Sequence, residues 1–173
     1  MALHILIDGY NLIRQSPALS AMEYISTEEG RDALLKLLAQ YRKVKSHKMT
    51  VVFDAAYGNS FAENKMRQRG VTIIFSRKGE LADDVIKRMV AKERERAIVV
   101  TSDQEIVDFA VRHGAATIDS REFEAKLTMA SYTAVQTEVA DEESGWSKTT
   151  KKKGPARRLP KQRRKSRQKI RKL

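Results

Sequence analysis

Leu3-His4-Ile5-Leu6-Ile7-Asp8-Gly9, close to the start of the sequence, is a short apolar run that ends in a carboxylate and a glycine. Farther along, Asp54 ends the run Thr50 to Phe53, and Asp103 follows the run Ala97 to Thr101. Short continuous apolar runs are typical of strands that are buried on both faces of a parallel sheet. Because ligands bind at the carboxyl ends of the strands in open α/β sheets, we expect these acids to meet in one pocket.

The apolar pattern predicts strands near residues 3–8, 49–54, 71–75, 97–101 and 115–118. Between them it predicts helices from the capping box at Ser26 to about Val44, from Leu81 to Arg94, from Gln104 to Arg112, and after Ser120. Lys65 to Gly70 is predicted to be a short basic helix or a loop. Alternating strands and helices favour right-handed crossovers. We predict an α/β fold, a three-layer sandwich with a central, mostly parallel five-stranded sheet and the first strand in its middle.

Composition narrows the class of protein. The chain has 173 residues and no cysteine, which excludes disulfides and zinc–thiolate sites. No apolar run approaches the roughly 20 residues that span a bilayer, and residues 1–8 lack the features of a signal peptide. We therefore expect a soluble, cytoplasmic protein without a membrane partner.

The net charge of +12 is unevenly distributed. Residues 148–173 contain 14 of the 34 Lys and Arg residues and no acid, so residues 1–147 carry 20 basic against 22 acidic side chains. This division predicts a folded domain over residues 1–130, a polar acidic linker over 131–147, and a disordered Lys/Arg-rich tail over 148–173.

A further pair of acids, Asp83 and Asp84, opens the helix that follows the strand Val71 to Phe75. Clustered carboxylates repel one another, and a divalent cation such as Mg²⁺ or Mn²⁺ relieves that repulsion. The pattern therefore indicates metal-dependent phosphodiester chemistry. One or two such ions neutralise charge on the attacking and leaving oxygens of a phosphodiester.

Four phrases occur in the order Leu6-Ile7-Asp8-Gly9-Tyr10-Asn11, Val51-Val52-Phe53-Asp54, Glu80-Leu81-Ala82-Asp83-Asp84 and Val100-Thr101-Ser102-Asp103. Together they resemble the NYN branch of the PIN-like nucleases and, more narrowly, the YacP family of ribosome-associated endoribonucleases. The resemblance covers about residues 3–129 and leaves the tail outside. It implies a metal-dependent endoribonuclease that acts on messenger RNA at the translating ribosome.

The resemblance also implies roles for individual residues. Asp8, Asp83 and Asp103 match the acidic catalytic core and are expected to bind the metal, and Asn11 matches a polar catalytic residue. Asp54 and Asp84 fall at positions where further metal-binding acids are expected. Thr101 and Ser102 are predicted to contact Asp103 and orient its carboxylate without binding the metal themselves.

Two sets of basic residues are candidates for RNA binding. The set near the predicted pocket is Lys65, Arg67, Arg69, Arg77 and Lys78, and the set in the tail is Lys151, Lys152, Lys153, Arg157, Arg158, Arg163, Arg164 and Lys165. Cations in a tail without acids release counterions from any polyphosphate, and ribosomal RNA is an obvious target. A solvated charged surface and a merely solubilising tail are the alternatives.

Other interpretations of the acids remain open. An Asp after a strand is also an ordinary helix N-cap, and Asp8-Gly9 also suits a simple turn. A non-catalytic RNA- or ribosome-binding module with a PIN-like fold would need no metal. A phosphotransferase with Asp8 as nucleophile usually has a second acid two residues later, where this chain has Tyr10. The sequence decides neither the RNA recognised, nor the number of metal ions, nor the oligomeric state.

Overall fold

The structure is a computed structural model that describes residues 3–55, 64–139 and 161–173. Within these ranges no helix is both long and apolar enough to cross a lipid bilayer. The described residues form six strands and seven α-helices, which in chain order are β1 His4–Asp8, α1 Gly9–Gln15, α2 Pro17–Ile25, α3 Thr27–Val44, β2 Lys48–Phe53, β3 Asn64–Gln68, β4 Val71–Phe75, α4 Ala82–Glu93, β5 Ala97–Val100, α5 Gln104–Arg112, β6 Ala116–Ile118, α6 Ser120–Val139 and α7 Lys161–Ile170.

The six strands form one sheet in the order β3-β4-β2-β1-β5-β6. All neighbouring strands are parallel except β3 and β4, which are antiparallel. The order reverses between β1 and β5, because β2 and β4 follow on one side of β1 while β5 and β6 follow on the other. The prediction of an α/β fold with a mostly parallel sheet and β1 near its centre is confirmed.

Side-chain alternation along β1 separates the two faces of the sheet. Ile5 and Ile7 belong to a core that includes residues of α1, α2, α3 and α6, whereas Leu6 belongs to a second core with α4 and α5. Both cores are fully apolar in their centres, and the three β1 residues named are 0% exposed. Because alternate residues share a face, His4, Leu6 and Asp8 all face the α4 side of the sheet.

The sheet has a sixth strand that the sequence pattern did not predict. Where a short basic helix or loop was expected, β3 pairs with β4 and leaves all five of its residues exposed. A two-residue turn, Arg69-Gly70, joins the two strands with positive φ angles of 51° and 81°. Two consecutive positive φ angles are the geometry that matches the twist of a tight hairpin. The prediction of five strands is wrong for this reason.

The carboxyl-terminal part also differs from the prediction. Helix α6 extends to Val139, into the segment predicted to be a linker, and α7 forms where disorder was predicted. Leu173 is only 6% exposed, and the Tyr41 hydroxyl donates a hydrogen bond of 2.8 Å to its carbonyl oxygen. Leu173 therefore packs the end of this segment against α3. The rest of the predicted linker and tail, residues 140–160, lies outside the described residues.

Docking of the last residues can be tested by stability. We expect Leu173→Ala to lower the free energy of unfolding by about 2 kcal/mol, because it removes buried apolar contacts beside Tyr41. The measurement is urea unfolding followed by circular dichroism. Met129→Ala is the matched control, since Met129 is 71% exposed and should change stability by less than about 0.5 kcal/mol. Equal effects of the two substitutions would contradict this packing.

Candidate active site

Four carboxylates gather at the carboxyl edge of the sheet. Asp8 is the last residue of β1, Asp54 directly follows β2, and Asp103 is the N-cap of α5 just after β5. Asp83 lies in the first turn of α4. Parallel neighbours end on the same side of a sheet, so the topology brings the three strand ends together and α4 adds the fourth acid.

The residues after Asp8 explain how the first acid is held. Gly9 packs so closely that an added Cβ would lie 2.3 Å from Cε1 of Phe53, which leaves no room for a side chain. Tyr10 is buried, and its ring meets the Phe53 ring edge-on with 5.0 Å between centroids. Tyr10 therefore packs in the core, where it anchors the turn from β1 into α1.

Asp8 is the most deeply placed of the four acids, with 9% of its surface exposed. Its Oδ1 accepts a hydrogen bond from the Asn11 backbone N–H at 3.2 Å, and its Oδ2 accepts one from the Thr101 hydroxyl at 3.4 Å. The pKa of Asp8 is raised to about 6, mainly by burial and also by the charges of Asp83 and Asp54, while the hydrogen bonds from Asn11 and Thr101 oppose the rise. A carboxylate that is buried among like charges favours a cation beside it.

Asp83 is subject to the same electrostatic field. Partial burial raises its pKa first, and the charge of Asp103 raises it next. Lys87 opposes this effect, while Asp54 adds to it. Because Asp8 responds to Asp83 and Asp83 responds to Asp103, the acids form one electrostatic cluster at the edge of the sheet.

Thr101 connects two members of this cluster. Its hydroxyl donates to Asp8 Oδ2 and accepts a hydrogen bond of 3.1 Å from the backbone N–H of Asp103. Asp103 Oδ1 in turn accepts from the N–H groups of Glu105 at 2.8 Å and Ile106 at 3.2 Å. Thr101 is thus placed to orient Asp8 as well as the Asp103 turn, and Asp103 Oδ2 accepts no hydrogen bond from the described residues.

Asn11 holds the site together through its side-chain oxygen. Asn11 Oδ1 accepts hydrogen bonds from the backbone N–H of Ser102 at 2.9 Å and from the hydroxyl of Ser120 at 2.7 Å. These bonds tie α1 to the turn after β5 and to the start of α6. Only the amide nitrogen of Asn11 is left to meet a water or a phosphate oxygen.

A fifth acid, Asp119, follows β6 and was not among the predicted site residues. Its Oδ2 accepts a hydrogen bond from the Ser102 hydroxyl at 2.9 Å, and its Oδ1 accepts one from the backbone of Arg121 at 2.9 Å. The signal was present in the sequence, because Asp119 directly follows a predicted strand just as Asp54 follows β2. Ser102 therefore contacts Asn11 and Asp119, and Thr101 is the residue that reaches Asp103.

The remaining predicted acids make local contacts at the start of α4. Asp54 Oδ1 accepts a hydrogen bond from the backbone N–H of Ala82 at 2.6 Å, which joins the end of β2 to α4. Asp84 is exposed, and its Oδ2 accepts from the backbone N–H of Leu81 at 3.4 Å. The charge of Asp54 raises the pKa of both Asp8 and Asp83. The side chain of Asp84 instead caps the start of α4.

The predicted RNA-binding residues occupy several places. Lys65 and Arg67 lie on β3, Arg69 lies in the hairpin turn, and Arg77 and Lys78 precede α4. Lys165 lies in α7, 3.9 Å from Glu95 Oε2. The side chains of Arg163 and Arg164 are not described, and the other predicted tail residues lie outside the described part of the chain, namely Lys151, Lys152, Lys153, Arg157 and Arg158.

The donor set suits a hard divalent cation that retains water. Among the described residues, no three His, Asp or Glu side chains are placed to bind one metal ion together. Mg²⁺ characteristically binds through one or two carboxylates and keeps several waters, so a cluster of this kind fits it. Asp8, Asp54, Asp83 and Asp103 are the carboxylates that would hold such an ion directly or through water.

The raised pKa of Asp8 makes stability depend on pH. Folding favours the protonated acid, so its contribution is complete below about pH 3.8 and is lost as pH rises through about 6. In the presence of a chelator we expect Asp8→Asn to be more stable than the parent above pH 6, by up to about 3 kcal/mol, with the gap closing toward pH 4. Asn keeps the N-cap acceptor, so the comparison isolates the charge.

Thermal unfolding over this pH range measures the effect. Asp108→Asn, at an exposed position on α5, is the matched control and should show no such pH-dependent gap. A parent protein that equals Asp8→Asn in stability at neutral pH would contradict the burial and crowding of Asp8.

The contacts of Asn11 predict a graded loss of stability. Asn11→Ala leaves both the Ser102 N–H and the Ser120 hydroxyl without their partner, and we expect it to cost about 1–3 kcal/mol. Ser120→Ala removes only one of the two bonds and should cost less. Urea unfolding of the two variants checks this order, and equal losses would show that the bond to Ser102 contributes nothing.

Comparison with known proteins agrees with this architecture. A curated relative, the uncharacterized protein YacP of Bacillus subtilis (strain 168), is 35% identical over 85 residues, which are 49% of this chain and 49% of that protein. One crystal structure of Rae1 (YacP) from Bacillus subtilis has a TM-score of 0.66 at 25% identity and covers 82% of this chain and 85% of its own. A second has a TM-score of 0.64 at 28% identity and covers 80% of both chains.

The family match also extends beyond the four acidic phrases. The YacP-like NYN domain family matches residues 5–172, which include α7 and the segment left outside the resemblance noted from the sequence. With this match and the shared fold, the chain belongs to the YacP-like NYN domain family.

Proposed function

We propose that this protein is a metal-dependent endoribonuclease that hydrolyses phosphodiester bonds in RNA. The observation that carries the proposal is the placement of Asp8, Asp54, Asp83 and Asp103 together at the carboxyl edge of the sheet. Membership of the NYN family supports it, because NYN domains are PIN-like domains of nuclease type and such domains generally use divalent metals. A domain of this type acts on RNA.

Asp8 and Asp103 are the acids best placed to hold Mg²⁺ or Mn²⁺. Thr101 bonds the carboxylate of Asp8 and the backbone N–H of Asp103, so it fixes the Asp103 turn relative to Asp8. Asp103 has one oxygen that no described residue engages, and that oxygen suits a cation or a water bound to one. When bound, the cation would neutralise the negative charge that develops on the phosphate oxygens.

The chain's own groups account for the other requirements of hydrolysis. Asp83 has a raised pKa, so its carboxylate takes up a proton from an attacking water more readily than an ordinary Asp. The amide nitrogen of Asn11 is available to donate a hydrogen bond to a phosphate oxygen. Asp54 accepts a hydrogen bond from the backbone N–H of Ala82, and this bond keeps the start of α4, with Asp83, close to the strand ends.

The finer identity of the substrate is also a proposal. We infer that the RNA is messenger RNA on the translating ribosome and that the protein works in the cytoplasm, in line with the family resemblance. The basic residues of 148–173 would raise the local concentration of RNA through sequence-independent contacts with phosphate. The position of Lys165 in docked α7 means that at least part of this basic segment is held against the domain.

Cleavage of a labelled RNA in the presence of Mg²⁺ or Mn²⁺ tests the activity. We expect Asp8→Asn and Asp83→Asn each to lower the rate by about 100-fold or more, because each removes a charge that the reaction uses. Asp108→Asn, which makes the same chemical change at an exposed site, should leave the rate unchanged. Addition of a chelator should stop cleavage, and excess Mg²⁺ should restore it.

Two outcomes would contradict the proposal. Full activity in both Asp8→Asn and Asp83→Asn would remove the acid cluster from the mechanism. RNA binding without any cleavage by the parent, with or without metal, would instead favour the alternative of a non-catalytic RNA-binding module with a PIN-like fold.

A further inference from the structure

A cavity of about 310 Å³ opens at the end of the sheet opposite to the acids. It lies on the α4 side, over the first residues of β1 and β2 and beside β3 and β4. Four cations from three elements line it, namely Lys48 at the start of β2, Lys65 on β3, and Arg88 and Lys92 on α4. All four are exposed at its rim.

The acids near the cavity leave most of this positive charge uncompensated. Glu93 is the acid in the lining, and it is engaged by His4 Nδ1 at 3.2 Å and by Arg96 at 3.0 Å. Arg88 pairs with Glu80. Lys48, Lys65 and Lys92 form no ion pair with any described residue.

The lining of the cavity is mixed, with the apolar Ile74 and Met89 beside polar groups that include a buried histidine. His4 is 3% exposed, and its Nε2 makes a hydrogen bond of 2.8 Å with the Thr50 hydroxyl. Thr72 adds a second hydroxyl to the lining. Ammonium groups around hydroxyl donors are suited to the oxygens of a phosphate.

We propose that this cavity binds backbone phosphates of the RNA strand whose cleavage is proposed above. Exposed lysines from separate elements around one cavity give it a positive potential that attracts an anion. Among the described residues, no Phe, Tyr or Trp side chain lines the cavity, so none of these residues offers an aromatic platform on which a base could stack. The geometry therefore favours phosphate contacts over recognition of a free nucleotide.

The cavity and the acid cluster lie on the α4 side of the sheet, near opposite ends of α4, and Leu6 between them is buried in the core beneath that helix. His4 and Asp8 face the same side of β1, and four residue steps of about 3.3 Å place them about 13 Å apart along the strand. Helix α4 runs along the same path, from Asp83 at its start to Lys92 and Glu93 at its end. An extended RNA strand with one phosphate at the acids would pass over the exposed side of α4 and reach the cavity within a few nucleotides.

This inference deepens the proposed function, but its test does not require hydrolysis. Binding of an end-labelled, unstructured oligoribonucleotide of about 12 nucleotides is followed by fluorescence anisotropy across a range of KCl concentrations, with a chelator present. The full chain is used throughout. The test variant is Lys65→Ala/Lys92→Ala, and circular dichroism confirms that each protein remains folded.

The matched control is Lys36→Ala/Lys126→Ala, which removes the same charge from α3 and α6 on the other side of the sheet. Each phosphate contact with a single strand contributes about 0.7 to the slope of log affinity against log salt. We therefore expect the test variant to bind RNA more weakly and to lose about 1.4 from this slope. The control variant should keep the parent slope.

A test variant with the same slope as the parent, or a control that loses as much, would overturn the inference. Binding of ATP or inorganic pyrophosphate that depends on Lys65 and Lys92, without such dependence for RNA, would also overturn it by identifying a small phosphate ligand. If the slopes change as expected while Asp8→Asn retains full cleavage, the phosphate site stands and only the proposed catalytic mechanism fails.

Discussion

Mutual repulsion among carboxylates at one edge of the sheet is the constraint around which this molecule is built. Asp8 lies among apolar strands, where its charge is poorly solvated, and Asp54 and Asp83 raise its pKa further. A flexible frame would relax by turning these groups apart. Here the side chain of Asn11 joins α1 to the turn after β5 and to the start of α6, and Thr101 links Asp8 to the Asp103 turn. The frame thus keeps charges close together that would otherwise separate.

Capping a helix and binding a ligand are compatible roles for these acids. Asp8 caps α1 and Asp103 caps α5, as an ordinary Asp after a strand would do. In Asp103 a single oxygen accepts both capping bonds, so the second oxygen is left for other contacts. Capping fixes the direction of the carboxylate, and this orientation makes the free oxygen useful. The interpretation of these acids as helix caps is therefore compatible with their interpretation as ligand-binding groups.

The sequence predicted the parts of the fold that depend on burial. The apolar runs at β1, β2, β4, β5 and β6 are strands, and parallel geometry then places Asp8, Asp54 and Asp103 at one edge. Asn64 to Gln68 could not be identified in this way, because all five residues are exposed and the strand exists through backbone pairing with β4. Helix α7 was missed because Ile170 and Leu173 are few among many cations, and their burial depends on contacts with distant Tyr41. Asp119 could have been predicted in the same way as Asp54, because it also follows an apolar run at the end of a predicted strand.

The two borders of the sheet have different protection against unwanted association. At one border α7 packs against β6, so its backbone is covered. At the other, all five residues of β3 are exposed, and an exposed edge strand is a template for pairing with another chain. Lys65 and Arg67 on that strand would repel the same strand of a second molecule. The charge on β3 therefore opposes growth of sheets from one copy of the chain to the next.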